Sequence, residues 1–313
     1  MFALRGFAIS LSCFVLLYCL VSALVATTWH PVKSLRVAQQ SVATLLFALR
    51  VMPLLVSTVI TFALVVPSFQ LLQPRSINMG LGTVPLALGF CALALIFLSC
   101  FRVIASQTRT TRVAARWLDG ARPLETQPDA AVTFQSRAKT PPLTLVGICH
   151  PRVLVSESTV ALLSENELRL ALRHEVEHMK SHDNLKKLIL RCCPFPGLAK
   201  LEHAWAQSAE LAADDGAVSS QSDALDLAAA LVKLSRLVRV VETAPVHTMG
   251  FVAGSLSLRV ARLLAWDEAS KSRRVRIRTW FVIPPAVAIS LLVTIAYGPV
   301  LGLTHEITAW LLR

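Results

Sequence analysis

Tyrosine is scarce in this chain: Tyr18 and Tyr297 are the only two among 313 residues, and both fall in apolar runs. No tyrosine is therefore available to stabilise charge at a water-exposed site. Cysteine lacks pattern rather than number. The seven cysteines never stand in CxxC spacing, which leaves a zinc knuckle unsupported. Cys13, Cys19, Cys91 and Cys100 sit in apolar runs and read as small hydrophobic residues. Charge is sparse as well. Only 16% of residues are charged while 54% are hydrophobic, too apolar for an ordinary soluble protein. No internal repeat or low-complexity tract is present.

Four long apolar runs account for the excess: Phe7–Thr27, Val51–Phe69, Leu81–Phe101 and Trp280–Leu303. Each is about the length a helix needs to cross a bilayer. The first is too long for a signal-peptide core and shows no small-residue cleavage site, so it reads as a retained span. Arg50, at the start of the second run, reads as a side chain snorkelling to the interface.

The net charge of +12 suggests nucleic acid until it is located. Residues 102–279 hold 25 Lys/Arg and 18 Asp/Glu, and nine of those cations flank the apolar runs. The interior, 117–270, has 16 basic and 18 acidic residues. The basicity belongs to membrane edges, and direct nucleic-acid binding is not expected. Lys33 and Arg36 in the first loop, against Arg75 alone in the second, put the N-terminus outside. The 102–279 segment then faces the cytoplasm, where disulfides are not expected, and the C-terminus faces outside. Arg5 is a mild exception.

The stretch that carries chemistry is Leu168–Asp183. His174, Glu175 and His178 spell HExxH, and residues i and i+4 share one face of a helix. Two imidazoles so placed can hold one Zn²⁺ while the intervening glutamate reaches a water. Ser164-Glu165-Asn166-Glu167 is a capping box that opens this helix, and Leu168, Leu172 and Val176 give it an apolar stripe. Arg169, Arg173, Lys180, Lys186 and Lys187 keep it out of lipid.

Around it the chain reads as a basic helical run to Leu118, a linker at Arg122–Asp129, and β-like pieces at Ala131–Phe134, Leu143–Ile148 and Val153–Val155. The apolar run Leu188–Leu198, broken by Pro194, Pro196 and Gly197, fits contact with the membrane surface or a buried turn. Helices follow at about Ala199–Ser219, Ser222–Val240 and Ser255–Trp266.

A catalytic zinc needs a third protein ligand. His182 lies a further turn along and is out of reach, and the HExxHxxGxxH pattern is absent. Glu210 stands out because Asp214, four residues on, can accept the N–H of a ligating histidine. Glu202 is the alternative, and a merely solvated acidic helix is the bland one.

The run HEVEHMKSHD, then PFP, then AELAADDGAV resembles the membrane zinc metallopeptidases of the BlaR/MecR type, and is similar to the related HtpX and CAAX-processing peptidases. The positions carrying the resemblance are His174, Glu175, His178, Asp183, Glu210 and Asp214, with Gly147, Pro151 and Arg152 resembling the approach to the central helix. The resemblance covers nearly the whole chain. It implies a mainly α membrane protein of four transmembrane helices, with an α+β zincin-like metalloprotease domain inserted between the third and fourth. The divisions are 1–101, 102–279 and 280–313. The implied location is the bacterial cytoplasmic (inner) membrane. The large extracellular penicillin-binding sensor domain of those antibiotic sensors is not expected, as the chain ends about ten residues past the fourth span, so β-lactam sensing is not implied.

Peptide hydrolysis follows from that resemblance, with one Zn²⁺ per chain on His174, His178 and Glu210, Glu175 as proton carrier, and Asp214 and Asp183 as supports. Arg259, His247 and His203 are candidates for oxyanion or substrate contacts, with a structural role as the other and weightier reading of each. A cytoplasmic repressor, a membrane protein and misfolded membrane proteins all fit as substrate, which leaves regulatory signalling and quality control both open. A signalling or scaffold protein with a vestigial metal site is the competing class. A transporter accessory fits least, because the spans lack paired ionisable residues.

Overall fold

The computed structural model describes residues 2–34, 37–73, 82–124, 133–136, 140–148, 150–193, 197–241, 252–267 and 297–311. Helices dominate. Among the described residues three are long and apolar enough to cross a membrane: α1 (Phe2–Thr28), α2 (Gln39–Leu72) and α3 (Thr83–Leu118). Their large side chains point outward in numbers no water-facing helix carries. Leu20 is 69% exposed, Phe62 70% and Phe90 74%, which fits a lipid solvent. Of the expected fourth span, residues 280–296 lie outside the described residues. From Tyr297 the chain is helical as α10 (Tyr297–Leu311).

Small groups let α1 and α3 approach closely. A Cβ on Gly89 would lie 3.6 Å from the Ala8 carbonyl oxygen, and Ser12 Oγ donates to the Pro85 carbonyl at 2.8 Å. In α2 the helix widens into a π turn at Thr61–Val65. Pro67 has no N–H, so the Ala63 carbonyl lacks its regular donor four residues on. Tyr297 Oη donates to that carbonyl at 2.8 Å, pinning α10 to α2.

The second apolar run was expected to begin at Val51, but its helix starts at Gln39, and the added turns are not membrane-facing. Val42, Ala43 and Leu46 are buried against Leu190, Leu198, Leu201, Ala204 and Trp205 from later in the chain, with Val25 of α1 and Trp29 just after it. Arg50 accordingly does not snorkel. It is 2% exposed; its Nε donates to Glu202 Oε1 at 2.8 Å, and it also donates to the Cys193 carbonyl. The chain thus shares a helix between its membrane-spanning and polar parts. Likewise α3 continues unbroken past Phe101 into the basic run, ending at Leu118.

A four-stranded sheet follows, ordered β1-β2-β4-β3: β1 (Arg122–Pro123), β2 (Thr133–Ser136), β3 (Leu143–Val146) and β4 (Arg152–Ser156). β1 falls in the stretch expected to be linker. β2 and β4 run parallel, whereas β3 is antiparallel to β4 and leaves one edge open. Val153 and Val155 bury against Leu172 of the next long helix.

A short helix, α4 (Glu157–Leu162), leads to α5 (Glu165–Lys180). The capping box closes as its residues require: Ser164 N–H donates to Glu167 Oε2 at 2.8 Å, and Glu167 N–H donates back to Ser164 Oγ at 3.3 Å. The helix ends at Lys180 because His182 takes a left-handed φ of 55°. The chain turns there into α6 (Asp183–Arg191), so the start of the Leu188–Leu198 run is helical, and Leu190 and Leu198 are buried against α2. Next come α7 (Ala199–Ala217), α8 (Gln221–Val241) and α9 (Val252–Leu264). Leu170 of α5 packs among Ala217, Val218, Ala224, Leu227 and Leu263, gathering α7, α8 and α9 around it.

The Arg50–Glu202 pair makes a testable asymmetry. Removing Glu202 strands a buried cation, whereas removing Arg50 also removes the charge that had to be desolvated. Glu202→Ala is expected to lower the melting temperature of the detergent-solubilised protein more than Arg50→Met does, with a loss of about 1–3 kcal/mol. Thermal unfolding of the two variants side by side checks the order.

Candidate metal centre

The helix α5 places His174 and His178 one turn apart on a buried face, their rings meeting edge to face with centroids 4.7 Å apart. Each ring has a carboxylate on its Nδ1 side. Asp183, at the first turn of α6, bonds His178 Nδ1 at 2.7 Å. Asp214 of α7 lies 3.0 Å from His174 Nδ1, a contact bent away from hydrogen-bond alignment. With the Nδ1 atoms so engaged, the two Nε2 atoms converge to 3.2 Å. Glu210, one turn before Asp214, brings its carboxylate oxygens to 3.6 Å from each Nε2.

These three donors all lie within 4.8 Å of one another and can hold a metal ion. Ligands about 2.1 Å from a tetrahedral ion lie about 3.4 Å apart, the separation seen here. A His, His, carboxylate set with a carboxylate beside each Nδ1 is the donor chemistry such a site requires. The residues fit the group.

Arg259 of α9 closes the far side. It donates through Nε and Nη2 to both oxygens of Asp214, at 2.8 and 2.7 Å, and through Nη1 to Glu210 at 2.9 Å. Its guanidinium thus braces the carboxylates that arrange the donors, and its Nη2 also lies 3.4 Å from His174 Nε2. Arg262, three residues on, repeats the link with Asp215 at 2.7 Å.

Electrostatics follow from this packing. Burial lowers the affinity of His178 for a proton, but Asp183 and Glu210 outweigh it and raise its pKa to about 10. His174 is raised too, as Asp214 and Glu210 overcome burial and the Arg259 cation. Burial alone would raise Asp214, yet Arg259 and His174 hold it at about 2. Glu210 lies well below the usual carboxylate range, because the two imidazoles and Arg259 outweigh its desolvation.

A cavity of about 280 Å³ opens over the donors. Glu175, half-buried beside His174, faces it together with β3 residues Leu143–Leu145. Its apolar wall is Ala171 of α5 with Leu227, Ala230, Leu231 and Leu234 of α8. That wall was not foreseen, since α8 carries leucines and alanines that read as ordinary core. Pro142, Asn184, Lys187 and Arg259 also line it; nothing in the local pattern of Asn184 and Lys187 marks them.

The other expected site residues fall elsewhere. His203 is exposed on α7 and does not line the cavity. His247 lies outside the described residues. Glu202, the alternative third ligand, is taken by Arg50, and His182 is exposed with its ring donating to the Lys180 carbonyl at 3.0 Å.

A metal ion must displace protons here, because imidazole ligates only when neutral. At pH 7 His178 is charged in the metal-free protein, so Zn²⁺ titration should release at least one proton per ion and bind more tightly as pH rises from 6 to 9. Calorimetry in buffers of different ionisation enthalpy measures that release. The sign for folding is opposite. The stabilisation from protonated His178 is fully present below about 6.5 and is lost as pH rises through about 10.

No curated protein matches the chain. Residues 11–263 match the family described as BlaR1 peptidase M56. That match spans most of the sequence, two of the three long apolar helices in full, and every residue of the donor cluster. The chain is therefore a member of the BlaR1 peptidase M56 family of membrane peptidases.

Proposed function

We propose that this chain is a zinc-dependent endopeptidase of the bacterial cytoplasmic membrane that cleaves a protein substrate on the cytoplasmic side. The observation that carries the reading is the convergence of His174, His178 and Glu210 beneath a cavity faced by Glu175 and by the open edge of β3. A scaffold with a vestigial site has no need of three donors, two oriented rings and a base in one place.

Bound there, the ion supplies Lewis acidity toward a peptide carbonyl and a water. Everything else is done by the chain. His174 and His178 present Nε2 atoms held in orientation by Asp214 and Asp183, and Glu210 contributes the anionic donor. Glu175 takes the proton of the attacking water and delivers it to the leaving amine. Leu143 on the open edge of β3 offers backbone groups to an extended substrate by strand addition. The apolar wall of α8 excludes water from the opposite side. Arg259 keeps Glu210 and Asp214 in place and also lines the cavity.

Regulatory proteolysis of a cytoplasmic repressor or a membrane protein suits a domain tethered at the membrane face, and quality control of misfolded membrane proteins suits it as well. The topology in this reading has the N-terminus outside, residues 102–279 inside and the C-terminus outside. A reporter active only outside the cytoplasm should work when fused after Arg313 and fail when inserted at Gly120.

The catalytic assignment is tested by two variants. Glu175→Gln should bind one zinc per chain, read by elemental analysis, and lose proteolysis by at least about a hundredfold, the scale of general-base catalysis. His174→Ala should lose both metal and activity. A purified Glu175→Gln protein with full peptidase activity would sink the mechanism. Zinc-free wild-type protein that refuses added zinc would favour the scaffold.

A further inference from the structure

The open edge of the sheet is shorter than the strand that forms it. The Pro142 carbonyl accepts from Ser156 N–H at 3.0 Å, and the register pairs Thr144 with Leu154 and Val146 with Arg152. Backbone groups alternate along an antiparallel ladder. Thr144 and Val146 therefore turn theirs toward β4, and Leu143, Leu145 and Gly147 turn theirs outward, toward the space a substrate strand would occupy.

Part of that space is already filled. Asn184 Nδ2 donates to the Leu145 carbonyl at 3.2 Å and to the Gly147 carbonyl at 3.0 Å. One side-chain amide stands where the N–H groups of an added strand would stand. Among the described residues, what stays open is the N–H and carbonyl of Leu143 and the N–H of Leu145. The stop is anchored at both ends. Gly147 has φ +97°, and a Cβ there would meet the His150 carbonyl oxygen at 2.8 Å, so its turn admits little else. Asn184 directly follows Asp183, whose carboxylate bonds His178 Nδ1 at 2.7 Å. Two consecutive residues at the start of α6 thus hold a donor ring and close the strand edge.

We infer that Asn184 is a positioning residue that ends the substrate-pairing edge at Leu145 and so sets which peptide bond of an extended substrate lies over Glu175. The inference rests on the peptidase reading above. With Asn184 removed, the Leu145 and Gly147 carbonyls are open to a longer pairing. A strand that slips must then slip by two residues, because a one-residue shift would turn every side chain to the other face.

The test uses the full chain in detergent, loaded with zinc and incubated with unfolded casein, with cleavage sites mapped by mass spectrometry. Asn184→Ala is expected to keep one zinc per chain and to produce a second set of cuts displaced by two residues from wild-type cuts. Its KM for a synthetic peptide should change about fivefold, the scale of one hydrogen bond, with kcat nearly unchanged. Asn184→Ser, which keeps one donor, should lie between. Unaltered cut sites and KM in zinc-loaded Asn184→Ala overturn the inference while leaving the peptidase reading intact. Zinc-loaded wild-type protein that cuts nothing overturns both. Should Asn184→Ala fail to fold, backbone N-methylation of a decapeptide that the wild type cleaves decides the matter. The methyl group should cost activity at the residue paired with Leu143 and be tolerated at the residue beside Leu145. Equal cost at both positions overturns the inference.

Discussion

Two imidazoles one helical turn apart aim their Nε2 atoms at a single point only if something else restrains their Nδ1 atoms. In this chain that restraint comes from carboxylates on two separate helices, Asp183 on α6 and Asp214 on α7. Three acids packed around two rings would repel one another in so buried a place. The Arg259 guanidinium, 11% exposed, is the countercharge that lets Glu210 and Asp214 remain ionised side by side. The arrangement of α5, α6, α7 and α9 can be understood as the minimum set of elements that brings these charges together with balance.

Much of that centre could be read from residue spacing. His174, Glu175, His178, Glu210 and Asp214 are local patterns, set by the period of an α-helix, and the period survives folding. The same holds for Ser164 and Glu167, whose hydrogen bonds span only three residues. Arg259 was visible as a candidate, yet its role was not. A guanidinium beside a metal site is compatible with contacting substrate and with bracing the ligands. Its bonds to Asp214 and Glu210, 45 and 49 residues away, are long-range packing that spacing does not show.

What could not be read depends on long-range packing. Arg50 sits beside an apolar run, where a snorkelling cation is the ordinary expectation, and its partner Glu202 lies 152 residues away. Asn184 is one polar residue on a helix of mixed composition, and its meaning comes from the carbonyls it meets 37 and 39 residues earlier. The leucines of α8 that wall the cavity look like core residues in any helix. The end of β2 and both limits of β4 were displaced by one or two residues because short strands are defined by their ladder partners, not by their own composition.

The residues of α2 between Gln39 and Arg50 belong to two structures at once. Their helix continues into the apolar span, while their inner face completes the core around Leu201 and Trp205. A water-soluble fragment cut at Arg102 would leave Leu190, Leu198, Leu201, Ala204 and Trp205 uncovered and Glu202 without its cation. The peptidase part is in this sense not a detachable module: its hydrophobic core is finished by a helix that arrives from the membrane.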